Sequence, residues 1–572
     1  MVGSPTELDV ALEAIARGRV AGELESRALE FKLEGRDERD TGRILAEAAV
    51  CLSNAAGGVV VLGIDDKKKG PDAFVGSDLE IDAVRKLIHQ RTKPPMTLDV
   101  DTVVAHGSRL LVIRVPEGLE VHQDSAGRAW RRVSAQDCFA MPPADQSRLR
   151  EERAGYDWSA QASDRSIRDA SPLALAAARR RLAALPDRRQ ELARLADGDL
   201  IRALGLADEA DRLNRAGEVL FCDPVNGMEP AVLYQYRPTP AGEPALVERL
   251  PRPLVLSFER ALELVDARRN TTPLTLPNGQ QIAVADFPDL AVREAIGNAV
   301  IHRDYRQRSA AVVDHSRSTL VVDSPGPLVT GVTPQNILTH PSKPRNATLA
   351  KAFRTLGLAE ETGRGVDRMY REMIRAGRDL PVIDDRLDGV RVILSGGAAN
   401  TRIARFVAGL PDEERDDTDT MLVVFVLCSR PTTSAVDLAP ILQKSRDEAE
   451  AVLRRLSSDP AGIVEPTRGT VRRANPLYRL RGEALSSLGP AVRYQRRTQD
   501  EIDRKVIAHI REYGKVTNRT LRNVFDVDMQ RARAILTDLV ARDILVKTSL
   551  QQRGPNIEYG PGTAFPHDRR SR

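Results

Sequence analysis

Residues 293–305 read REAIGNAVIHRDY. Glu294 and Asn298 stand four residues apart there, a spacing that puts both on one face of a helix, with His302 four further on. A carboxylate and an amide oxygen one helical turn apart suit magnesium–triphosphate chemistry. The amide is a hard oxygen ligand for the metal, and the carboxylate can orient or deprotonate a water. The neighbouring His302-Arg303-Asp304 looks like the catalytic loop of a protein kinase. A kinase also needs a glycine-rich loop and a strand lysine upstream and a DFG downstream. None occurs in that order, so the kinase reading fails. A histidine kinase fails too, for want of a phospho-acceptor helix.

The elements around this segment are readable. DLAVREAIGNAVIHRDY begins at Asp289, and Leu290, Ala291, Ala295, Ile296, Ala299 and Val300 recur at helical spacing, with Glu294 and Asn298 on the other face. Strands SAAVVDH and STLVVD follow, then SPGPL (324–328), then HPSKPRNATLAKAFRTLGLAEETGRGVDRMYREM. Near the N-terminus, RALEFKLE predicts a strand, GRILAEAAVCLSNAAGG a helix stopped by Gly57-Gly58, and VVVLGIDD and LLVIRVPEG two more strands. Glu30 and Lys32 share a strand face, because side chains repeat every two residues. Lys67, Lys68 and Lys69 form a basic loop suited to phosphate backbone.

Residues 142–170 are polar and aperiodic, a linker or partly helical arm, and 171–215 look helical behind Ser171-Pro172. Junctions fall at 395–418 and 484–500. Beyond them, three helices and a β-hairpin are predicted, with Thr517 capping the second helix and the third near Met529–Arg542. That is winged-helix layout, and 419–480 repeats it more weakly. In a winged helix the third helix enters the major groove and the wing touches the backbone. Arg531, Arg533, Lys547 and Arg553 are therefore the candidate DNA contacts.

The 572 residues are too many for one core. With 41% hydrophobic and 29% charged residues the chain reads as globular, and it contains no bilayer-spanning run and no signal-peptide layout at its start. The net charge is +4, but from Ala491 onward there are 17 Lys/Arg against 10 Asp/Glu, a basic C-terminal unit on a near-neutral body. Cys51, Cys138, Cys222 and Cys428 are scattered singly. That excludes a CxxC zinc site, argues against disulfides and makes a reducing cytoplasm the expected location.

The ordered run REAIGNAVIHRDY…SPGPL…RNATLA…LGLAEETGRGVDRM resembles the divergent GHKL ATP-binding module of bacterial AlbA-2-containing, RecG-C-like regulators, over roughly 245–395. The resemblance implies a central GHKL (Bergerat) α/β sandwich that binds ATP and Mg²⁺. Glu294 matches the residue that positions a water or acts as base, and Asn298 the magnesium ligand. Gly326 matches the first glycine of the next box, and Gly363 and Gly365 the Gly-x-Gly that lets backbone N–H groups approach phosphate. His302 and Asp304, at the helix exit, and Arg345 and Asn346, in RNATLA, are also placed near the nucleotide. One departure stands out. Related proteins carry an Asp two residues before the first glycine to accept the adenine amino group. Here Ser324 occupies that place, with Asp323 one earlier as a possible substitute.

ELESRALEFKLEG with LAEAAVCLSNAAGGVVVLGIDDKKKG resembles the AlbA-2 domain shared with Schlafen proteins, through Glu25, Glu30-Phe31-Lys32, Asn54, Gly57-Gly58 and Gly63-Ile64-Asp65-Asp66. This resemblance implies nucleic-acid binding. Some Schlafen proteins cleave RNA with two Glu and an Asp, here Glu25, Glu30 and Asp65 (or Asp66). Such carboxylates could hold Mg²⁺ or Mn²⁺, with Lys32 neutralising charge developing on a phosphodiester.

The expected architecture is thus multidomain α+β: an AlbA-2 (Schlafen-like) α/β domain at 21–140, a helical connector at 141–244, a GHKL domain at 245–398, and winged helices at 415–485 and 497–565. The expected function is an ATP-binding transcriptional regulator that contacts nucleic acid, DNA ahead of RNA, as a homo-oligomer without membrane association. The alternative is a metal-dependent endonuclease gated by ATP, of use in phage defence. ATPase activity at Glu294 and Asn298 is compatible with either.

Overall fold

The computed structural model describes residues 7–132, 137–225, 229–276, 279–359, 364–386, 388–492, 499–525, 529–549 and 557–566. The chain divides into two compact units. The first is Met1–Thr275 with Gly279–Ala399 and Ala439–Ala449; the second is Leu276–Asn278 with Asn400–Leu438 and Glu450–Arg572.

The first unit opens with α1 (Glu7–Ala16), β1 (Leu29–Lys32), α2 (Glu38–Ser53), β2 (Gly58–Leu62), α3 (Ile81–Arg91), β3 (Thr92–Lys93), β4 (Asp99–Ala105) and β5 (Ser108–Val115). β1, β2, β5 and β4 form one sheet in that order, with β1 parallel to β2 and the other pairs antiparallel. The central strand β2 is the apolar run GVVVL, as a strand with neighbours on both edges requires. α2 is capped by the Asp37 carboxylate on the Asp40 N–H (2.7 Å) and lays Leu45, Ala48, Ala49 and Leu52 into the core. It ends at Ser53, and the Gly57 N–H returns to the Leu52 carbonyl (3.0 Å). Gly57 has φ +78°, and a Cβ there would lie 2.7 Å from the Val115 carbonyl oxygen, so the chain enters β2 only through glycine.

Next come β6 (Gln123–Asp124), β7 (Trp130–Arg132) and β8 (Cys138–Ala140), the last two a hairpin. Cys138 is disulfide-bonded to Cys51 of α2, with Cα atoms 5.9 Å apart. This corrects the expectation of unpaired cysteines. The partners lie 87 residues apart, so no local spacing marks them, and the ground for inferring a reducing compartment is removed. Cys222 and Cys428 are free and buried.

The polar stretch after residue 141 begins as a helix, α4 (Pro143–Arg153), and continues as β9 (Ala162–Ser166), which pairs with β10 (Arg212–Asn214). α5 (Pro172–Ala183), α6 (Asp197–Ala203) and α7 (Arg215–Phe221) complete the connector. The second sheet is built from β11 (Val232–Arg237), β12 (Leu246–Leu250), β15 (Ala311–Ser316), β16 (Thr319–Pro325), β17 (Val382–Asp385) and β18 (Gly389–Ser395), in the order β12-β11-β15-β16-β18-β17. β11 and β15 are parallel, and the remaining pairs are antiparallel. α8 (Leu254–Asp266), the separate hairpin β13 (Thr271–Thr275) and β14 (Gln281–Ala285), α9 (Asp289–Ile301), α10 (Ala347–Thr355) and α11 (Gly365–Arg375) supply the rest. Phe258, Ala295, Val300, Val313, Val322, Phe353 and Met369 share one core, which joins these helices to the sheet.

Along the chain follow α12 (Thr401–Ala408), α13 (Asp412–Arg415), α14 (Thr418–Ser429), α15 (Ala435–Leu442), α16 (Arg446–Ser457), β19 (Val464–Pro466), β20 (Tyr478–Leu480) and α17 (Gly482–Leu488). The C-terminal block is α18 (Gln499–Tyr513), β21 (Val516–Thr517), α19 (Asn518–Phe525), α20 (Met529–Ala541), β22 (Leu545–Lys547) and β23 (Glu558–Pro561) around Val506, Ile510, Leu521 and Leu539. The Thr517 hydroxyl accepts the Thr520 N–H (3.1 Å), the capping read from the sequence. No helix among the described residues is long and apolar enough to cross a membrane.

Candidate functional site

α9 carries Glu294 and Asn298 into a cavity also lined by His302, Ser324, Gly326, Lys343, Arg354 and Gly365. The separation of four residues aligns the first pair, as the sequence implied. Glu294 is 5% exposed and stands under the start of α11, where a helix N-terminus favours negative charge. A Cβ on Gly365 would collide with the Glu294 Oε2, so a side chain there would force that carboxylate to move. The Asn298 amide makes no hydrogen bond to a described residue and faces the cavity unengaged. Gly363 lies outside the described residues.

β16 alternates strictly. Leu320, Val322 and Ser324 are buried, while Val321 and Asp323 look the other way. Asp323 is held by Arg391 of β18 (2.6 and 2.8 Å), away from the cavity. It therefore cannot stand in for an adenine-reading carboxylate, which corrects that expectation: a shift of one residue on a strand is a change of face. Ser324 lines the cavity and donates its hydroxyl proton to the Ala299 carbonyl (2.7 Å). Its oxygen lone pairs remain as acceptors only.

The exit of α9 is braced rather than reactive. Arg345 donates to the carbonyls of His302 (3.1 Å) and Pro327 (2.6 Å), and the Asn346 amide donates to those of Ile301 (2.7 Å) and Arg303 (2.8 Å). Arg345 and Asn346 are thus wall-building residues; neither they nor Asp304 line the cavity. Burial opposes ionisation of Asp304, but the bonds and charge of Arg306 outweigh it and hold its carboxyl below the usual range. Gly326 has φ +95°, and a Cβ there would meet the Asp304 Cβ at 2.9 Å. Burial first, then the Arg345 charge, push the His302 imidazole down to about 4, so it lines the cavity uncharged at neutral pH. The positive charges are Lys343, which donates to the Thr330 carbonyl (3.0 Å), and Arg354, which has no carboxylate partner among the described residues. Sequence reading passed over both, although Lys343 sits in the quoted HPSKPRN run.

A buried carboxylate, a free amide, a glycine at the helix start and two cations fit a magnesium-bound triphosphate. Asn298 would hold the metal, and Lys343 and Arg354 the phosphates. The bound metal would neutralise phosphate charge. Glu294 would hold a water or take its proton at the carboxylate oxygen.

Burial also pushes the core residue His315 down to about 4. Both imidazoles stay neutral in the folded chain while unfolded histidines protonate near their ordinary value. Stability is therefore full above about pH 6.5 and falls as the pH drops toward 4. Urea midpoints measured across that window should decline, and the decline should be shallower in H302Q/H315Q.

In the N-terminal domain, Glu30 is 4% exposed and is held between Arg132 (2.7 Å) and Lys32 (2.6 Å). Arg132, missed by sequence reading because β7 is only three residues long, also donates to the Ser26 carbonyl (2.9 Å). Glu25 accepts the Phe31 N–H (3.0 Å); burial raises its pKa, opposed by that bond and by Lys32. Asp65 accepts the Lys67 N–H (3.1 Å) and pairs with Lys68 (3.3 Å). Glu25 and Glu30 thus share the charge of Lys32, while Asp65 is engaged by its own loop. Among the described residues no three His, Cys, Asp or Glu are grouped to hold a metal. The structure does not gather Glu25, Glu30 and Asp65 into a metal set, because each carboxylate is already engaged by a neighbouring cation or N–H. Lys67, Lys68 and Lys69 are exposed. In the C-terminal block, Arg533 on α20 and Lys547 on β22 are exposed. Arg531 lies in the first turn of α20, and Arg553 lies outside the described residues.

Residues 25–138 match the family model described as Schlafen, AlbA_2. Residues 312–394 match the one described as putative ATP-dependent DNA helicase recG C-terminal. The second match takes in Ser324, Gly326, Lys343 and Gly365 and begins after α9. No curated protein matches the chain. Among solved structures, the DIP2311 protein from Corynebacterium diphtheriae is 26% identical with a TM-score of 0.52, the likeness covering 85% of this chain and 99% of that one. The two family matches agree with the domain resemblances read from the sequence and mark a nucleic-acid-related chain with an ATPase-like domain.

Proposed function

We propose that this chain, with its AlbA_2 region and its ATPase-like domain, is an ATP-binding regulator whose nucleotide state governs its contacts with DNA. The observation that carries the reading is the cavity itself: Glu294, Asn298 and Gly365 meet there with Lys343 and Arg354. The six-stranded sheet with α9 and α11 fits a GHKL-type sandwich. The helix–helix–hairpin order of α19, α20, β22 and β23, with exposed Arg533 and Lys547, fits a winged helix.

Nucleic-acid affinity then comes largely from Lys/Arg contacts to phosphates and falls steeply with salt. Filter binding of duplex DNA across a salt series, with and without Mg–ATP, tests the reading. A steep slope that shallows on deletion of 493–572, and an affinity that changes with ATP, are expected. An unchanged slope, or no effect of ATP on a chain that binds it, contradicts the regulator. The nuclease alternative predicts cleavage of tRNA or DNA with Mn²⁺ that Glu30→Ala abolishes. The pairing of Glu30 with Arg132 and Lys32 predicts no such cleavage.

A further inference from the structure

Three consecutive side chains at the end of α4 hold different parts of the first unit. Glu152 accepts both the N–H (3.1 Å) and the hydroxyl (2.6 Å) of Thr330 and pairs with Arg345 (3.5 Å). Arg345 is the residue that grips the His302 and Pro327 carbonyls, two walls of the nucleotide cavity. Glu151 pairs with Arg306, which in turn holds Asp304 (2.9 Å) beneath Gly326.

Arg153 turns the other way. It donates to the Ser53 carbonyl (2.6 Å), the Asn54 Oδ1 (3.4 Å) and the Glu120 carbonyl, all in the N-terminal domain. Asn54 is fully buried and donates to the carbonyls of His122 (2.8 Å) and Trp130 (2.9 Å). Trp130 opens β7, the strand that carries Arg132 onto Glu30. A path therefore runs from the cavity wall through two adjacent residues of one helix to Asn54, whose amide bonds reach β7, the strand that carries Arg132 onto Glu30.

We infer that α4 couples the two domains: Glu152 is a positioning residue for the nucleotide cavity, and Arg153 transmits the state of that cavity to the nucleic-acid-binding domain. Arg345 is largely buried, so it needs a fixed carboxylate to keep its guanidinium paired and in place. Thr330 and Arg345 flank the segment that carries Lys343, so a shift of that segment on nucleotide binding is felt first at Glu152. A mobile, solvated linker would not carry such a shift. A salt-bridged grip on one side of a short helix and arginine-to-carbonyl bonds on the other do, provided the nucleotide favours one position of the segment over the other.

The inference rests on the nucleotide-binding reading above, and the test separates the two. Affinity for labelled duplex DNA is measured with and without saturating Mg–ATP, and Mg–ATP affinity by calorimetry, for wild type, Arg153→Met, Glu152→Gln and Glu152→Asp, with thermal melts to show that each variant folds. Wild type should show a DNA affinity changed about fivefold or more by ATP. Arg153→Met should keep its ATP affinity within about twofold while that ratio falls to near one. Glu152→Gln should weaken ATP binding about tenfold, with partial recovery in Glu152→Asp. A folded Arg153→Met with the wild-type ratio, or a Glu152→Gln with wild-type ATP affinity, overturns the coupling while leaving the nucleotide reading intact. A wild type that binds no ATP overturns the nucleotide reading and the coupling with it.

Discussion

Gly365→Ala should weaken nucleotide binding at least about tenfold in a chain that still folds. The new Cβ would collide with the Glu294 Oε2 and lie 2.9 Å from its Cδ. Glu294 is buried on α9, and the open space beside its carboxylate is the cavity itself. Either its carboxylate turns into the cavity or the start of α11 backs away, and both reshape the site. Overpacking of this kind costs about 1–3 kcal/mol, so the stability loss should be modest while Mg–ATP affinity falls by at least about tenfold. Gly297→Ala is the control. It lies on the same helix, and its added Cβ meets nothing closer than Phe258 at 3.9 Å. That substitution should leave ATP affinity unchanged and raise the denaturation midpoint, since Ala gains about 0.5–1 kcal/mol over Gly inside a helix. Equal ATP affinity in the two variants would mean that the approach of α11 to Glu294 does not shape the site.

The second large effect is expected at Arg132. Its guanidinium is almost wholly buried, and Glu30 beside it is buried as well. Arg132→Met leaves Glu30 with Lys32 alone and strips the Ser26 carbonyl of its donor. Removing one partner of a buried pair typically costs 3–5 kcal/mol; with Lys32 remaining, a loss of about 3 kcal/mol is expected. Adding Glu30→Gln should recover part of it, because the stranded charge is gone, and a double-mutant cycle in urea should give a coupling of at least about 1 kcal/mol. Additive effects would mean that Glu30 is not held as a structural charge, and would reopen a catalytic role for it.

Much of this arrangement is visible in the residues themselves. Four-residue spacing placed Glu294 and Asn298 together, and Gly57, Thr517 and the apolar run of β2 announced their own elements, because helix period, caps and strand burial are local properties. What stayed hidden depends on faces and distant partners. Asp323 and Ser324 look interchangeable in a string but sit on opposite sides of β16. Glu25, Glu30 and Asp65 look like a metal set, yet each is satisfied by a neighbour, one of them Arg132, 102 residues away from Glu30. The disulfide between Cys51 and Cys138 and the two-sided grip of α4 likewise join segments that no short pattern connects. The stretch containing α4 reads as a linker or partly helical arm because its polar residues are aperiodic; it is partly helical, and those polar residues make contacts that no pattern marks.

Calorimetric titration of the full chain with Mg–ATP, run in parallel on wild type and Asn298→Ala, tests the central claim most directly. The Asn298 amide faces the cavity without a hydrogen bond among the described residues, so its removal should cost little stability while taking away the proposed metal ligand. Saturable binding by wild type that is lost in Asn298→Ala is the expected result. Undiminished binding by the variant, or none by wild type, would contradict the account.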